Sequence, residues 1–246
     1  MKKTALLAAV AALFAATPAF AQSGGSIGLN YTNIEDEADG YQLDGAFGSA
    51  SGSFGFQIDG GFGNIEDEVD TQTIAGHAYW NGGGWRIGGV YAYTNFDTGS
   101  GSASETAYGI EGTWDLGTQA VVLASYTIGE TELSGDVDTS SFDIGLNYYF
   151  TENFRVGALY GFGKLEEGGG AEADTSNLRL NAEWQPWTTP VSFTLGYNSF
   201  DSDELTDADS WSIGARWNFG GSLRERDNAT PFDTRTGFYQ RLYDIR

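Results

Sequence analysis

Trp211-Ser212-Ile213-Gly214-Ala215-Arg216-Trp217-Asn218-Phe219 decides the fold. Trp211, Ile213, Ala215, Trp217 and Phe219 alternate with Ser212, Gly214, Arg216 and Asn218. That period of two belongs to a strand with one apolar and one polar face, not to a helix of period 3.6. Phe142–Phe150 repeats it, with Phe142, Ile144, Leu146, Tyr148 and Phe150 set against Asp143, Gly145, Asn147 and Tyr149. Phe154–Phe162 places Arg155, Gly157, Leu159 and Gly161 on its second face. Followed along the chain, the pattern predicts twelve strands: 25–34, 40–48, 53–64, 71–81, 85–96, 105–115, 119–130, 139–150, 153–164, 175–185, 190–200 and 209–219. Each is about 9–12 residues, the length a tilted strand needs to cross a bilayer.

The connections are expected to alternate. Ser49–Ser53, Asn81–Gly84, Asp115–Thr118, Thr151–Asn153 and Pro186–Pro190 read as tight turns. Ile34–Asp39, Ile65–Asp70, Asp97–Ser104, Thr131–Asp138, Leu165–Asp174 and Asp201–Ala208 read as longer polar loops. Aromatics gather at the predicted strand ends. Trp80, Trp85, Trp114, Phe150, Phe154, Trp184, Trp187, Trp217 and Phe219 fall on the turn side, and Tyr31, Tyr41, Phe62, Tyr93, Tyr108, Phe162, Phe200 and Trp211 near the loops. Amphipathic rings favour the two lipid–water interfaces, whereas a soluble sandwich would put its aromatics in mid-strand. The expected fold is all-β, a transmembrane antiparallel up-and-down barrel of 12 strands over residues 22–219. Asn33-Ile34-Glu35-Asp36-Glu37 recurs as Asn64-Ile65-Glu66-Asp67-Glu68, each at the loop end of a strand, which suggests a duplicated hairpin.

The 246 residues carry 12 Lys and Arg against 34 Asp and Glu, a net charge of −22. That excludes binding to a nucleic-acid backbone, which needs clustered base. The 7 Trp, 13 Tyr and 16 Phe exclude a solvated acidic tail. Absence of Cys removes disulfides, thiolate sites and a lipoprotein anchor, and a single His, His77, excludes a multi-His metal centre. Residues 1–21 read as a secretory signal peptide. Lys2 and Lys3 precede the apolar run Ala5–Ala16, and Ala19-Phe20-Ala21 offers cleavage between Ala21 and Gln22. The remaining acid is uneven. The barrel 22–219 holds 30 acidic and 5 basic residues, and 23 of those acids lie in or beside the long loops, opposed there only by Lys164.

These features together resemble the small outer-membrane β-barrel and porin families of Gram-negative bacteria. Ser212–Phe219 is similar to the terminal signal, polar-x-Gly-x-x-aromatic-x-aromatic, that the outer-membrane assembly machinery reads, which implies an assembly role for Gly214, Trp217 and Phe219. The chain departs from that pattern in continuing 27 residues past Phe219. The resemblance implies integral outer-membrane localisation, with lipid, lipopolysaccharide and the assembly machinery as partners.

With the apolar face toward lipid, the other face lines a lumen. Its charged positions are Asp44, Asp59, Arg86, Glu111, Asp115, Asp143, Arg155, Arg179, Glu183 and Arg216, interspersed with Gly48, Gly55, Gly61, Gly88, Gly145, Gly157, Gly161, Gly196 and Gly214. Glycine weakens a strand, and the expected compensation is space, a narrow water-filled pore. The competing reading has ion pairs filling the lumen. Strand counting puts Arg86 opposite Asp115 and Arg155 diagonal to Glu183, and groups Arg86, Arg155 and Arg216 as a basic cluster at the periplasmic mouth. Asp201-Ser202-Asp203-Glu204 to Asp207 and Asp209 lacks the Gly and Glu of a Ca²⁺ loop, so the acidic loops read first as a solvated, aggregation-resistant surface, with loosely bound Ca²⁺ or Mg²⁺ as the other possibility, and no cofactor is expected. His77 has no adjacent Ser and reads as a lumenal strut, which argues against an enzyme. The tail, 220–246, has five Arg, and Gly237–Arg246 has near-helical spacing; it reads as a periplasmic tail, with insertion into the lumen as the other possibility. The leading function is passive diffusion of small hydrophilic solutes with cation preference. The alternative is a non-conducting surface barrel acting through acidic extracellular loops.

Overall fold

The structure is a computed structural model that describes residues 22–34, 38–66, 69–98, 101–132, 136–167, 170–186, 189–204, 207–233 and 237–242. The signal segment with its cleavage residue Ala21, and Trp187, lie outside the described residues. The strands are β1 (Gln22–Ile34), β2 (Ala38–Ser51), β3 (Phe54–Ile65), β4 (Val69–Asn81), β5 (Trp85–Asp97), β6 (Ser102–Leu116), β7 (Ala120–Glu132), β8 (Asp136–Thr151), β9 (Phe154–Glu167), β10 (Glu172–Trp184), β11 (Val191–Ser202) and β12 (Ala208–Phe219). Each pairs antiparallel with its sequence neighbours. β1 closes on β12 from Gly25 opposite Phe219 to Ile34 opposite Ser210, so the sheet has no edge. A closed ladder is the only β arrangement that satisfies every backbone group inside a bilayer.

The period of two holds around the whole wall. Leu29, Ile87, Tyr91, Ile110, Ile144, Leu180, Leu195 and Ile213 project outward and are exposed, Ile110 and Ile213 by more than 60%. Thr73, His77, Thr94, Glu111, Thr127, Asp143, Asn177, Arg179 and Asn198 project inward and are buried. An apolar exterior this continuous is solvated by lipid rather than water. Most of the expected girdle residues face outward, including Tyr41, Trp85, Trp114, Phe150, Trp184, Trp211 and Trp217. Several meet across strands, with ring centroids 4.7 Å apart for Tyr197 and Trp211 and 4.6 Å for Phe54 and Trp80. Phe200 departs from this. It follows Asn198 on the inner face and is 1% exposed, so it belongs to the interior rather than the girdle.

The loop end also differs from expectation. The strands run 12 to 16 residues and absorb most of the segments read as long loops. β1 runs to Ile34 and β2 starts at Ala38, and β7 runs to Glu132 and β8 starts at Asp136. Polar residues on both faces break the alternation there, yet the ladder continues because a strand leaving the lipid needs no apolar face. Asn33 pairs with Asp39 and donates to its carboxylate at 3.0 Å, and Asn64 does the same to Asp70 at 3.2 Å. The two copies of the repeated motif are thus clasped alike. Glu105, counted with the rim acids, turns inward and is 2% exposed, with Thr131 donating to it at 3.2 Å.

The tail is not a free periplasmic extension. After Phe219, Gly220 and Gly221 adopt φ of +107° and +102°, which lets the chain reverse direction at the turn end. It then enters the barrel as α1 (Leu223–Ala229), an extended stretch through Asp233, and α2 (Phe238–Leu242). The physical reason is charge: a tail with five Arg meets a wall lined by carboxylates.

Candidate functional site

All ten charged residues assigned to the lumen face it; eight meet an oppositely charged side chain, and Asp59 and Glu111 meet His77. Arg216 of β12 reaches across the β1–β12 seam to Asp44 at 2.9 Å and donates to Ser26 Oγ at 3.2 Å. Arg86 pairs with Asp115 at 3.5 Å; its register partner is Thr113, so the pair is diagonal rather than directly opposite. Arg155 and Glu183 are directly opposite rather than diagonal, at 3.2 Å. His77 bridges two carboxylates, with Nδ1 2.6 Å from Glu111 Oε1 and Nε2 3.1 Å from Asp59 Oδ2. Asp143 and Arg179 find their partners in the tail.

Among the described residues, five ion pairs link wall and tail, in both senses of charge. Arg224 meets Asp115 at 3.3 Å and lies 4.3 Å above the Tyr149 ring. Arg226 forks onto Glu183, at 2.6 Å from Oε1 and 2.9 Å from Oε2. Asp227 takes Arg155 at 2.9 Å and accepts from the Tyr149 hydroxyl at 2.7 Å. Asp233 lies 3.9 Å from Arg179, and Arg241 lies 3.6 Å from Asp143. Burial disfavours the charge on Arg226, but Asp227 and Glu183 outweigh it and raise its pKa. Removing one partner of such a buried pair strands the other charge, at a cost of about 3–5 kcal/mol.

Local sequence explains how the tail is presented. Ser222 accepts from Glu225 N–H while Glu225 accepts from Ser222 N–H, a reciprocal cap that starts α1 straight after the glycine reversal. Arg224 N–H donates to Glu152 O at 2.9 Å, fastening the helix to the β8–β9 turn. Buried Ala229 rests on Gly48 and Gly24 of the wall, where any Cβ on Gly48 would collide with the Ala229 carbonyl. Higher in the lumen, Asn177 and Asn198 donate to the Arg241 carbonyl at 3.5 and 3.2 Å. Five-residue α2 thus lies inside the wall and falls within the helix expected at 237–246, of which 243–246 lie outside the described residues.

Two expectations need correction. Arg86, Arg155 and Arg216 do not form a bare basic cluster, because each is held by a carboxylate. Part of the glycine-lined space is taken by the tail rather than by water, with Ala229 against Gly48 and Arg241 against Gly161 and Gly163. With the tail in place, cavities of about 30 Å³ beside Arg86, Tyr149 and Asp227 and about 70 Å³ beside Arg179, Glu183 and Asp233 remain. Each is room for one or a few waters. Gln57, Tyr149, Asn177 and Asn198 were not singled out from the sequence. The usable signals were the Ser222-x-x-Glu225 cap and inward amides unmatched by wall charges.

The residues of the terminal signal sit as a strand requires. Trp217 faces outward, and Gly214 is on the inner face opposite Asn30; Phe219 closes the register against Gly25. Gln22, the residue after the expected cleavage point, opens β1 opposite Ala50. Among the described residues, no group of three or more His, Asp or Glu side chains is arranged to hold a metal ion.

No family model matches the chain, and no curated protein matches it. Solved structures do resemble it. The NanC porin superposes with a TM-score of 0.55 at 10% identity, covering 78% of this chain and 98% of that one. The KdgM porin, in complex with disordered oligogalacturonate, gives 0.55 at 9% identity over 79% and 99%. The outer-membrane OmpT of Vibrio cholerae gives 0.52 at 11% identity over 80% and 97%. At these identities the likeness is one of fold. The chain is a closed 12-strand β-barrel of the outer-membrane type.

Proposed function

We propose that the protein is an outer-membrane channel of porin type, passing small hydrophilic solutes when its C-terminal segment leaves the lumen and closed when the segment is docked. The observation that carries this reading is the polar inner wall, whose arginines each meet a carboxylate. A barrel serving only as a surface scaffold has no need of buried charge at Asp44, Glu111, Asp143, Arg155, Arg179, Glu183 and Arg216, whose desolvation is costly. Because wall and tail charges largely neutralise one another, cation preference arises at the acidic loop rim, which enriches cations within about 8 Å at physiological salt. Ca²⁺ and Mg²⁺ associate there loosely, bridging the rim to lipopolysaccharide phosphates, while the assembly machinery reads Gly214, Trp217 and Phe219. The reading assigns no catalysis, since both nitrogens of His77 are engaged by carboxylates.

The filled lumen favours a second reading, a non-conducting barrel that acts through its rim. Planar-bilayer recording in a KCl gradient separates the two. The channel reading expects discrete openings with a reversal potential toward the cation limit, and these openings become more frequent in Arg226→Gln. Silence in both the native chain and Arg226→Gln supports the second reading.

A further inference from the structure

Pro231-Phe232-Asp233 crosses the middle of the lumen held like a bound peptide. Gln57, 1% exposed, donates from Nε2 to the Phe232 carbonyl at 2.8 Å and accepts from Phe232 N–H at Oε1, 3.1 Å away. That two-point amide contact reads a peptide backbone as a neighbouring strand would. The Phe232 ring lies in a corner. It stacks on His77 with centroids 5.7 Å apart and planes 9° from parallel, and meets Tyr79 edge-on at 5.2 Å and 76°. One residue on, Arg179 donates to the Asp233 carbonyl at 3.0 Å and lies 3.9 Å from its carboxylate.

The corner is built by the wall rather than by its occupant. Asp59 accepts from Gln57 Nε2 at 2.8 Å and also contacts His77, while Glu111 holds the opposite ring nitrogen. Gln57 and His77 are therefore aimed before anything binds, which is the arrangement that lowers the cost of binding. The occupant is not packed tightly along its whole length, since a polar cavity of about 70 Å³ touches Asp233.

We propose that Gln57, His77, Tyr79 and Arg179 form a peptide-recognition site, filled here in cis by Pro231-Phe232-Asp233, and that short peptides with an aromatic residue followed by an acidic one bind it in trans. The proposal rests on the channel reading only in requiring that small solutes reach the lumen. A tethered segment competes at an effective concentration of order millimolar, so the native chain binds such a peptide weakly and a chain with the site vacated binds it well.

The test uses full-length protein in detergent, titrated calorimetrically with acetyl-Thr-Pro-Phe-Asp-amide. Phe232→Ala/Asp233→Asn is expected to bind one peptide per barrel, at least tenfold more tightly than the native chain. Adding Gln57→Ala should remove that gain, and acetyl-Thr-Pro-Ala-Asn-amide should not bind. If the double variant does not give a folded, heat-modifiable barrel, Phe232→Ala alone serves the same comparison. No binding by the vacated protein, or binding indifferent to Gln57→Ala, overturns the site. Bilayer recording of the same proteins separates the two claims. Binding without current in any variant removes the channel and keeps the site, and current without binding does the reverse.

Discussion

On the outer face of β10, Leu178 and Leu180 project into the bilayer, where other apolar side chains of similar size would serve. On the inner face of the same strand, Arg179 and Glu183 each hold a particular residue of the tail, Asp233 and Arg226. The wall thus has a permissive side and a specified side, one residue apart. Lipid is a fluid that refills whatever space a side chain leaves, so the outer face is constrained in polarity only. The charges of the lumen are buried between wall and tail, so they must be matched one by one. Specificity in this molecule lies on the inner face and in the tail residues that meet it, from Leu223 to Asp233 and at Arg241.

The largest effect of substitution is expected on the specified side. Glu183 holds Arg155 and Arg226 and accepts from Ser192 at 2.5 Å. Glu183→Ala leaves two buried guanidinium groups short of a carboxylate and should lower stability by about 3–5 kcal/mol, read as a shift of the urea unfolding midpoint. A loss below about 1 kcal/mol would mean that the lumen is wet enough to screen the pairs. Next comes charge on the permissive side. Ile213→Arg, mid-strand and facing lipid, should cost about 2–4 kcal/mol in lipid vesicles, while Trp217→Arg nearer the turn end should cost about 0–1 kcal/mol. Equal costs at the two sites would contradict the placement of the bilayer between the aromatic girdles. The smallest effect is apolar truncation facing lipid. Leu180→Ala should cost about 1–2 kcal/mol, the transfer contribution without a lasting cavity. A loss as large as that of Glu183→Ala would erase the contrast between the faces.

The permissive side was the legible one. Alternation such as Trp211, Ile213, Ala215, Trp217 shows at once which residues meet lipid, because one rule of polarity governs every strand. The same parity delivered the inward positions, Arg155 and Glu183 among them. It could not say that the loop-end residues remain in the ladder, since alternation stops where lipid stops, nor that Phe200 faces inward beyond the last mid-strand contact. The path of the tail was legible only as a charge imbalance and as the Ser222-x-x-Glu225 cap that starts its first helix. Contacts such as Asp227 with Arg155 and Phe232 with His77 join residues 72 and 155 positions apart in sequence. No local periodicity encodes such a pairing; it follows from a closed cavity whose wall carboxylates and guanidinium groups each need an opposite charge.

The most direct test of the account is single-channel conductance of the native chain beside the same chain lacking 222–246, both refolded and checked for heat modifiability. The account predicts a native barrel that is mostly closed and a shortened one that conducts steadily, with a reversal potential favouring cations. A shortened barrel as silent as the native chain, or a native chain that conducts as freely as the shortened one, would contradict it.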